Sequence, residues 1–124
     1  DALPIFPLGD KALKLLAKAN AIDPDSEYLF SNKKKHLSNM AMLMKVRRIK
    51  KGLTVHGFRS TFRDWVSEET EHSPEVAEMA LAHTIANKVE AAYRRGKLLE
   101  RRRSLLSDWE RHCLSAINAQ VHDV

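Results

Sequence analysis

The sequence predicts a mainly α-helical domain, a helical bundle entered through a short extended segment or strand. Three observations predict it. Apolar residues recur at helical spacing in Phe58, Phe62, Trp65 and Val66, and again along Leu98, Leu105, Leu106, Trp109, Cys113 and Ile117. Helix starts are marked by capping residues, above all Ser73-Pro74. Breaks at Gly9-Asp10, Asp23-Pro24-Asp25 and Gly52 divide one helical stretch from the next. With 124 residues, 44% of them hydrophobic, the chain is read as one domain over 1–124 with a small core.

The elements follow in order. Ile5-Phe6-Pro7-Leu8 reads as an extended segment or short strand, which its two neighbouring prolines keep out of a sheet interior. Asp10 caps a helix over Lys11–Ala19 carrying Leu13, Leu15 and Leu16. A loop over Asn20–Ser26 leads to Tyr28-Leu29-Phe30, an apolar anchor in a packed loop or tiny strand. The polar, basic run Ser31–His36 is expected to be exposed. Ser38 is the expected cap of a helix through Ile49, whose core face is Met40, Leu43, Met44 and Val46, with Gly52 closing it. Leu53-Thr54-Val55 is extended, and a helix runs from Gly57 to Glu69. Ser73-Pro74 opens the next helix, buried through Val76, Ala77, Met79, Ala80 and Leu81. Asn87 caps a helix that Gly96 interrupts, and Leu98–Ile117 forms the last one before a frayed end.

The net charge is +5, and it is unevenly placed. Lys33, Lys34, Lys35, Lys45, Arg47, Arg48, Lys50 and Lys51 form a run without an acid. Arg94, Arg95, Lys97, Arg101, Arg102 and Arg103 form a second basic run with Glu100 as its one acid, and acidic residues from Asp64 to Glu78 lie between the two runs. Two basic segments around a polar stretch point to a polyanion such as nucleic acid, or to solvated helix faces. Cys113 is the only cysteine, which excludes an internal disulfide and fits a reducing cytoplasm. No apolar run is long enough to cross a bilayer. No paired Cys/His clusters, glycine-rich phosphate loop or Gly-x-Ser-x-Gly is present, so no metal or other cofactor is expected.

The polar residues that carry chemistry lie between Thr54 and Arg95. His56 and Arg59, three apart at a helix start, can share a face. A histidine moves a proton near neutral pH, and an arginine forks onto phosphate oxygens. His83 stands at a helix break, and Tyr93 lies ten residues later beside Arg94 and Arg95. A tyrosine on such a helix is either core or a covalent nucleophile. With a phenol pKa of about 10, attack at neutral pH needs a proton acceptor or nearby positive charge.

Leu53-Thr54-Val55-His56-Gly57-Phe58-Arg59-Ser60-Thr61-Phe62-Arg63 resembles the His-x-x-Arg box of the tyrosine recombinases, in the form common among prophage and genomic-island integrases. Ala80-Leu81-Ala82-His83 resembles their second histidine box, and Asn87–Tyr93 their nucleophile helix. Tyr28-Leu29-Phe30 and Ser38-Asn39-Met40 resemble the usual lead-in, so the resemblance covers essentially the whole chain. It implies the C-terminal part of the recombinase catalytic fold.

The resemblance also implies roles. Tyr93 is the nucleophile on a scissile DNA phosphate. Arg59 and His83 hold non-bridging oxygens, and His56 transfers protons. Arg94, Arg95, Lys33, Lys34 and Lys35 are candidate contacts to neighbouring phosphates. The implied partners are double-stranded attachment sites and further copies of the protein, as a tetramer on DNA in the bacterial cytoplasm. A further arginine and a lysine of the family's site are expected upstream of Asp1. The chain is therefore expected to be a truncated catalytic domain, weak or inactive alone. Alternatives are a non-catalytic DNA-binding module derived from an integrase, or a helical interaction module using Leu98–Ile117.

Overall fold

The computed structural model describes residues 5–83 and 88–122, with side chains over 88–97 and 119–122 left aside. It is mainly helical, as the periodicity predicts: α1 (Asp10–Ile22), α2 (Ala41–Ile49), α3 (Val55–Glu69), α4 (Pro74–Ala80) and α5 (Lys88–His122), with β1 (Ser31–Asn32) and β2 (Lys35–His36) as a two-stranded hairpin. No helix among the described residues is long and apolar enough to cross a membrane. The chain groups into two compact units: residues 10–61, and residues up to Gly9 together with Phe62 onward.

The second of these units holds the core. Phe62, Trp65 and Val66 of α3, Val76 and Ala77 of α4, and Leu98 and Leu105 of α5 are buried together. Met79, Ala80, Leu81, Leu106 and Trp109 pack against them. The Phe62 and Trp109 rings meet edge to face at 5.3 Å, and Trp65 lies 5.0 Å from Trp109. Such aromatic pairs contribute about 1 kcal/mol beyond their buried area. Leu98, Arg102, Leu105 and Trp109 follow one another at helical spacing, so Arg102 lies on the apolar stripe. It is only 6% exposed, and its Nη1 donates to the Ile5 carbonyl at 2.8 Å. That bond ties residues 5–9 to α5. No strand forms at Ile5–Leu8; the Leu8 amide instead donates to the Phe6 carbonyl at 3.0 Å across Pro7.

α4 begins as expected, with Ser73 Oγ accepting from the Val76 amide and Pro74 in the first turn. Its end follows from hydrogen bonding rather than from glycine. Ala82 takes φ +57°, the Ala82 amide donates to the Met79 carbonyl, and the His83 amide donates to the Glu78 carbonyl at 3.0 Å. This is a Schellman closure with alanine in the left-handed position. α5 runs unbroken through Gly96, where an interruption is expected from sequence. One helical glycine costs about 1 kcal/mol, which the hydrogen bonds of adjoining turns offset. The expected Asn87 cap lies outside the described residues. The helix persists to His122, beyond the expected fraying point.

Residues 10–61 form a unit with no buried side chain. α1 continues to Ile22, three residues past the expected end at Ala19, because the first breaker is Pro24. Tyr28, Leu29 and Phe30 form neither a strand nor a packed loop; they are 44%, 39% and 59% exposed. α2 starts at Ala41 with Met40 as its cap, and Ser38 contributes only its carbonyl, to the Ala41 amide. Its expected core face is open, with Met40 and Met44 exposed and Leu43 and Val46 half-buried. A unit this small encloses little volume. Gly52, at φ +90°, lies two residues beyond the Lys50 cap and turns the chain into α3.

The hairpin is the least expected element. Lys33 and Lys34 both take positive φ, 50° and 62°, as a two-residue turn of the mirror-image type requires. Without glycine this costs on the order of 1 kcal/mol per residue. Asp23 holds the turn: its carboxylate accepts from the Ser31 hydroxyl and, at 2.8 Å, from the Lys34 amide. The Ser31 bond, then the Lys34 amide, keeps the Asp23 carboxyl below its ordinary value. A depressed folded pKa stabilises the clamp above the unfolded value of about 3.9, and the gain is lost as pH falls through the folded value. Acid titration is therefore expected to release the Lys34 amide resonance toward a random-coil shift only as pH falls below the ordinary carboxylate range. Asp23→Ala is expected to release it at every pH.

Candidate functional site

The first cluster of expected site residues is built by the start of α3. Thr54 caps this helix, its Oγ1 accepting from the Gly57 amide at 3.0 Å. The helix thus begins at Val55, two residues before the expected start, and His56 lies inside its first turn. A Cβ at position 57 would stand 3.1 Å from Thr54 Oγ1, which is why glycine suits the position between His56 and Phe58. His56, Phe58 and Arg59 are exposed; Phe58, expected on the core face, is 56% exposed. The helical spacing puts His56 and Arg59 on one face of α3.

The second cluster surrounds His83. The Schellman closure brings the side chain of Glu78 beside that of His83. His83 Nδ1 is hydrogen-bonded to Glu78 Oε2. The other carboxylate oxygen, Oε1, accepts from Arg63 Nε at 2.7 Å, and Arg63 Nη1 donates to Ser67 Oγ at 3.0 Å. The His83 bond, then the Arg63 bond, keeps the Glu78 carboxyl below its ordinary value. Arg63 and Glu78 side chains are 28% and 41% exposed, and a pair so open contributes at most about 1 kcal/mol. Its main consequence is orientation.

Sequence reasoning did not find Glu78 or Arg63 as site residues. A signal existed: His83 stands five positions after Glu78, the spacing that brings the third-last helical residue beside the residue that follows a Schellman turn. Alanine at position 82 hid it, since that turn is usually marked by glycine.

Tyr93, Arg94 and Arg95 fall within α5, and their side chains lie outside the described residues. Lys33, Lys34 and Lys35 are exposed, at the hairpin turn and the start of β2. His56 and Arg59 belong to one compact unit, and His83 and Tyr93 to the other. Among the described residues, no group of three or more His, Cys, Asp or Glu side chains is placed to hold a metal ion. Cys113 is half-buried, and burial pushes its thiol pKa up, away from a reactive thiolate.

A second histidine–carboxylate pair lies at the α3–α4 connection. His72 Nε2 and Asp108 Oδ2 are 2.6 Å apart, and Arg111 Nη1 is 3.2 Å from Asp108 Oδ1. This pair joins the connection to α5.

Comparison with known proteins gives one consistent answer. The chain is 31% identical over 111 residues to the integrase of Shigella phage Sf6, covering 85% of the chain and 29% of that protein. The same identity and coverage relate it to the prophage integrase IntS of Escherichia coli K12. The prophage integrase IntA of the same strain is 32% identical over 108 residues, 83% of the chain and 26% of its own length. The chain therefore spans under a third of the length of these curated relatives. No family model and no solved structure matches it.

Proposed function

We propose, from the premise that the chain is related in sequence to phage and prophage integrases, that it is the nucleophile-bearing part of a tyrosine-type site-specific recombinase. The observation that carries this reading is the similarity over 85% of the chain, taken together with three boxes in the order that the resemblance implies. These are His56-Gly57-Phe58-Arg59, Ala82-His83 and Ala92-Tyr93.

In this reading Tyr93 Oη attacks the scissile phosphate. The P–Oη bond forms and the P–O5′ bond breaks, leaving a 3′-phosphotyrosyl link and a 5′-hydroxyl. The phenol proton passes to His56, and the departing 5′-oxygen takes up a proton. No residue of this chain is assigned to give that proton. Arg59 and His83 hold the non-bridging oxygens and offset the charge that builds on them. A 5′-hydroxyl of another strand then attacks the link, which returns the tyrosine. The link conserves the phosphodiester energy, so the exchange consumes no nucleotide. The partners are double-stranded attachment sites and other copies of the recombinase in a tetramer on DNA.

A nicked suicide substrate tests the reading in the complete recombinase. Loss of the short fragment after cleavage strands the intermediate, so a denaturation-resistant protein–DNA adduct is expected. DNA binding without any adduct would favour a non-catalytic binding module instead.

The basic hairpin enters through a separate measurement. The logarithm of DNA affinity is expected to fall linearly with the logarithm of salt concentration. Replacing Lys33, Lys34 and Lys35 together with alanine should reduce that slope by about 0.9 for each phosphate that the lysines neutralise. An unchanged slope removes the hairpin from the DNA interface.

A further inference from the structure

We infer that Glu78 is a positioning residue for His83, fixing its imidazole with Nδ1 on the Glu78 carboxylate and Nε2 left for a phosphate oxygen. The inference rests on the reading of His83 as an oxygen-holding residue. It stands on three connections. The His83 backbone amide donates to the Glu78 carbonyl at 3.0 Å, which fixes where the side chain begins. Glu78 Oε2 engages Nδ1, which fixes the ring. Arg63 Nε donates to Oε1 at 2.7 Å while Arg63 Nη1 donates to Ser67 Oγ, which fixes the carboxylate.

The chemistry follows from donor and acceptor inventories. An ionised carboxylate only accepts, so the proton in this bond belongs to Nδ1. Non-bridging phosphate oxygens also only accept. The ring can serve one at Nε2 only by carrying a proton on both nitrogens, one given to Glu78 and one to the phosphate. A ring free to rotate would offer either nitrogen; the Glu78 bond leaves one. A carboxylate behind a ligating imidazole acts in the same way at metal centres, where its loss costs about 10–100-fold in function.

The test is a mutant cycle in the complete recombinase, with suicide-substrate cleavage rate and DNA affinity as readouts. Glu78→Ala is expected to slow adduct formation by about 10–100-fold at unchanged DNA affinity. Glu78→Gln, which keeps an oxygen facing Nδ1, should recover part of the rate. On a His83→Ala background, Glu78→Ala should cost nothing further, because the residue acts through the ring. A full additional loss there would mean that Glu78 acts by another route and would overturn the inference. So would a full rate in Glu78→Ala. Nitrogen-15 spectra of the His83 ring give a readout independent of activity and of the alanine variant's folding. The neutral wild-type ring should carry its proton on Nδ1, and a proton on Nε2 instead would contradict the inference. Failure of the underlying reading looks different: adduct would persist in Tyr93→Phe, or His83→Ala would cleave at the full rate.

Discussion

Tyr93→Phe will lower formation of the covalent protein–DNA adduct by about three orders of magnitude or more, with DNA affinity unchanged. The substitution removes one oxygen atom. It keeps the ring, its volume and its place in α5, so packing is nearly preserved. What disappears is the only atom that can bond to phosphorus in the proposed step. Water cannot replace it in this assay, because attack by water leaves no protein on the DNA. His56→Ala and Arg59→Ala should produce partial losses, since a proton carrier or an oxygen holder is substituted in part by solvent and by neighbouring charges. The ordering of effects separates a nucleophile from residues that assist one.

The largest effect on stability is expected at Leu105. Its side chain is fully buried at the meeting of α3, α4 and α5, among Phe62, Trp65, Val66, Val76, Ala77 and Leu98. Leu105→Ala is expected to cost about 2–5 kcal/mol through lost transfer energy and the cavity left behind. Against a total of about 5–15 kcal/mol that is a large share, and it should lower the thermal midpoint by roughly 10–20 °C. Ile117, on the same helix and 57% exposed, is the internal comparison. Ile117→Ala should change stability by less than about 0.5 kcal/mol. Equal losses at both positions would contradict the placement of the core.

The apolar stripes and the Ser73-Pro74 start made α3, α4 and the Leu98–Ile117 part of α5 legible, because period and caps act locally; its continuity through Gly96 was not. Phe62, Trp65 and Val66 were readable as core for the same reason. Phe58 was not, since periodicity says which residues share a face but not how far along the helix the face stays covered. Met40 and Met44 failed in the same way: the helical pattern was right, and burial depends on what packs opposite. The hairpin at Ser31–His36 gave no signal because its turn is built from lysines and held by Asp23, far back in the sequence. The left-handed Ala82 was equally silent, and with it the contact between Glu78 and His83. Thr54 was legible in hindsight as a cap three residues before the amide it serves. So was Arg102, one member of an arginine run that also falls on the Leu98–Leu105 stripe. Of the candidate site, His56, Arg59, His83 and Tyr93 were singled out from sequence; the Glu78 carboxylate beside His83 was not.

Peptide mapping of the suicide-substrate adduct tests the central claim most directly. The chain contains two tyrosines, Tyr28 and Tyr93. After tryptic digestion, the DNA-linked fragment is expected to be Val89–Arg94, with the phosphoryl group on Tyr93. Attachment at Tyr28, or at a residue outside this chain, would contradict the account.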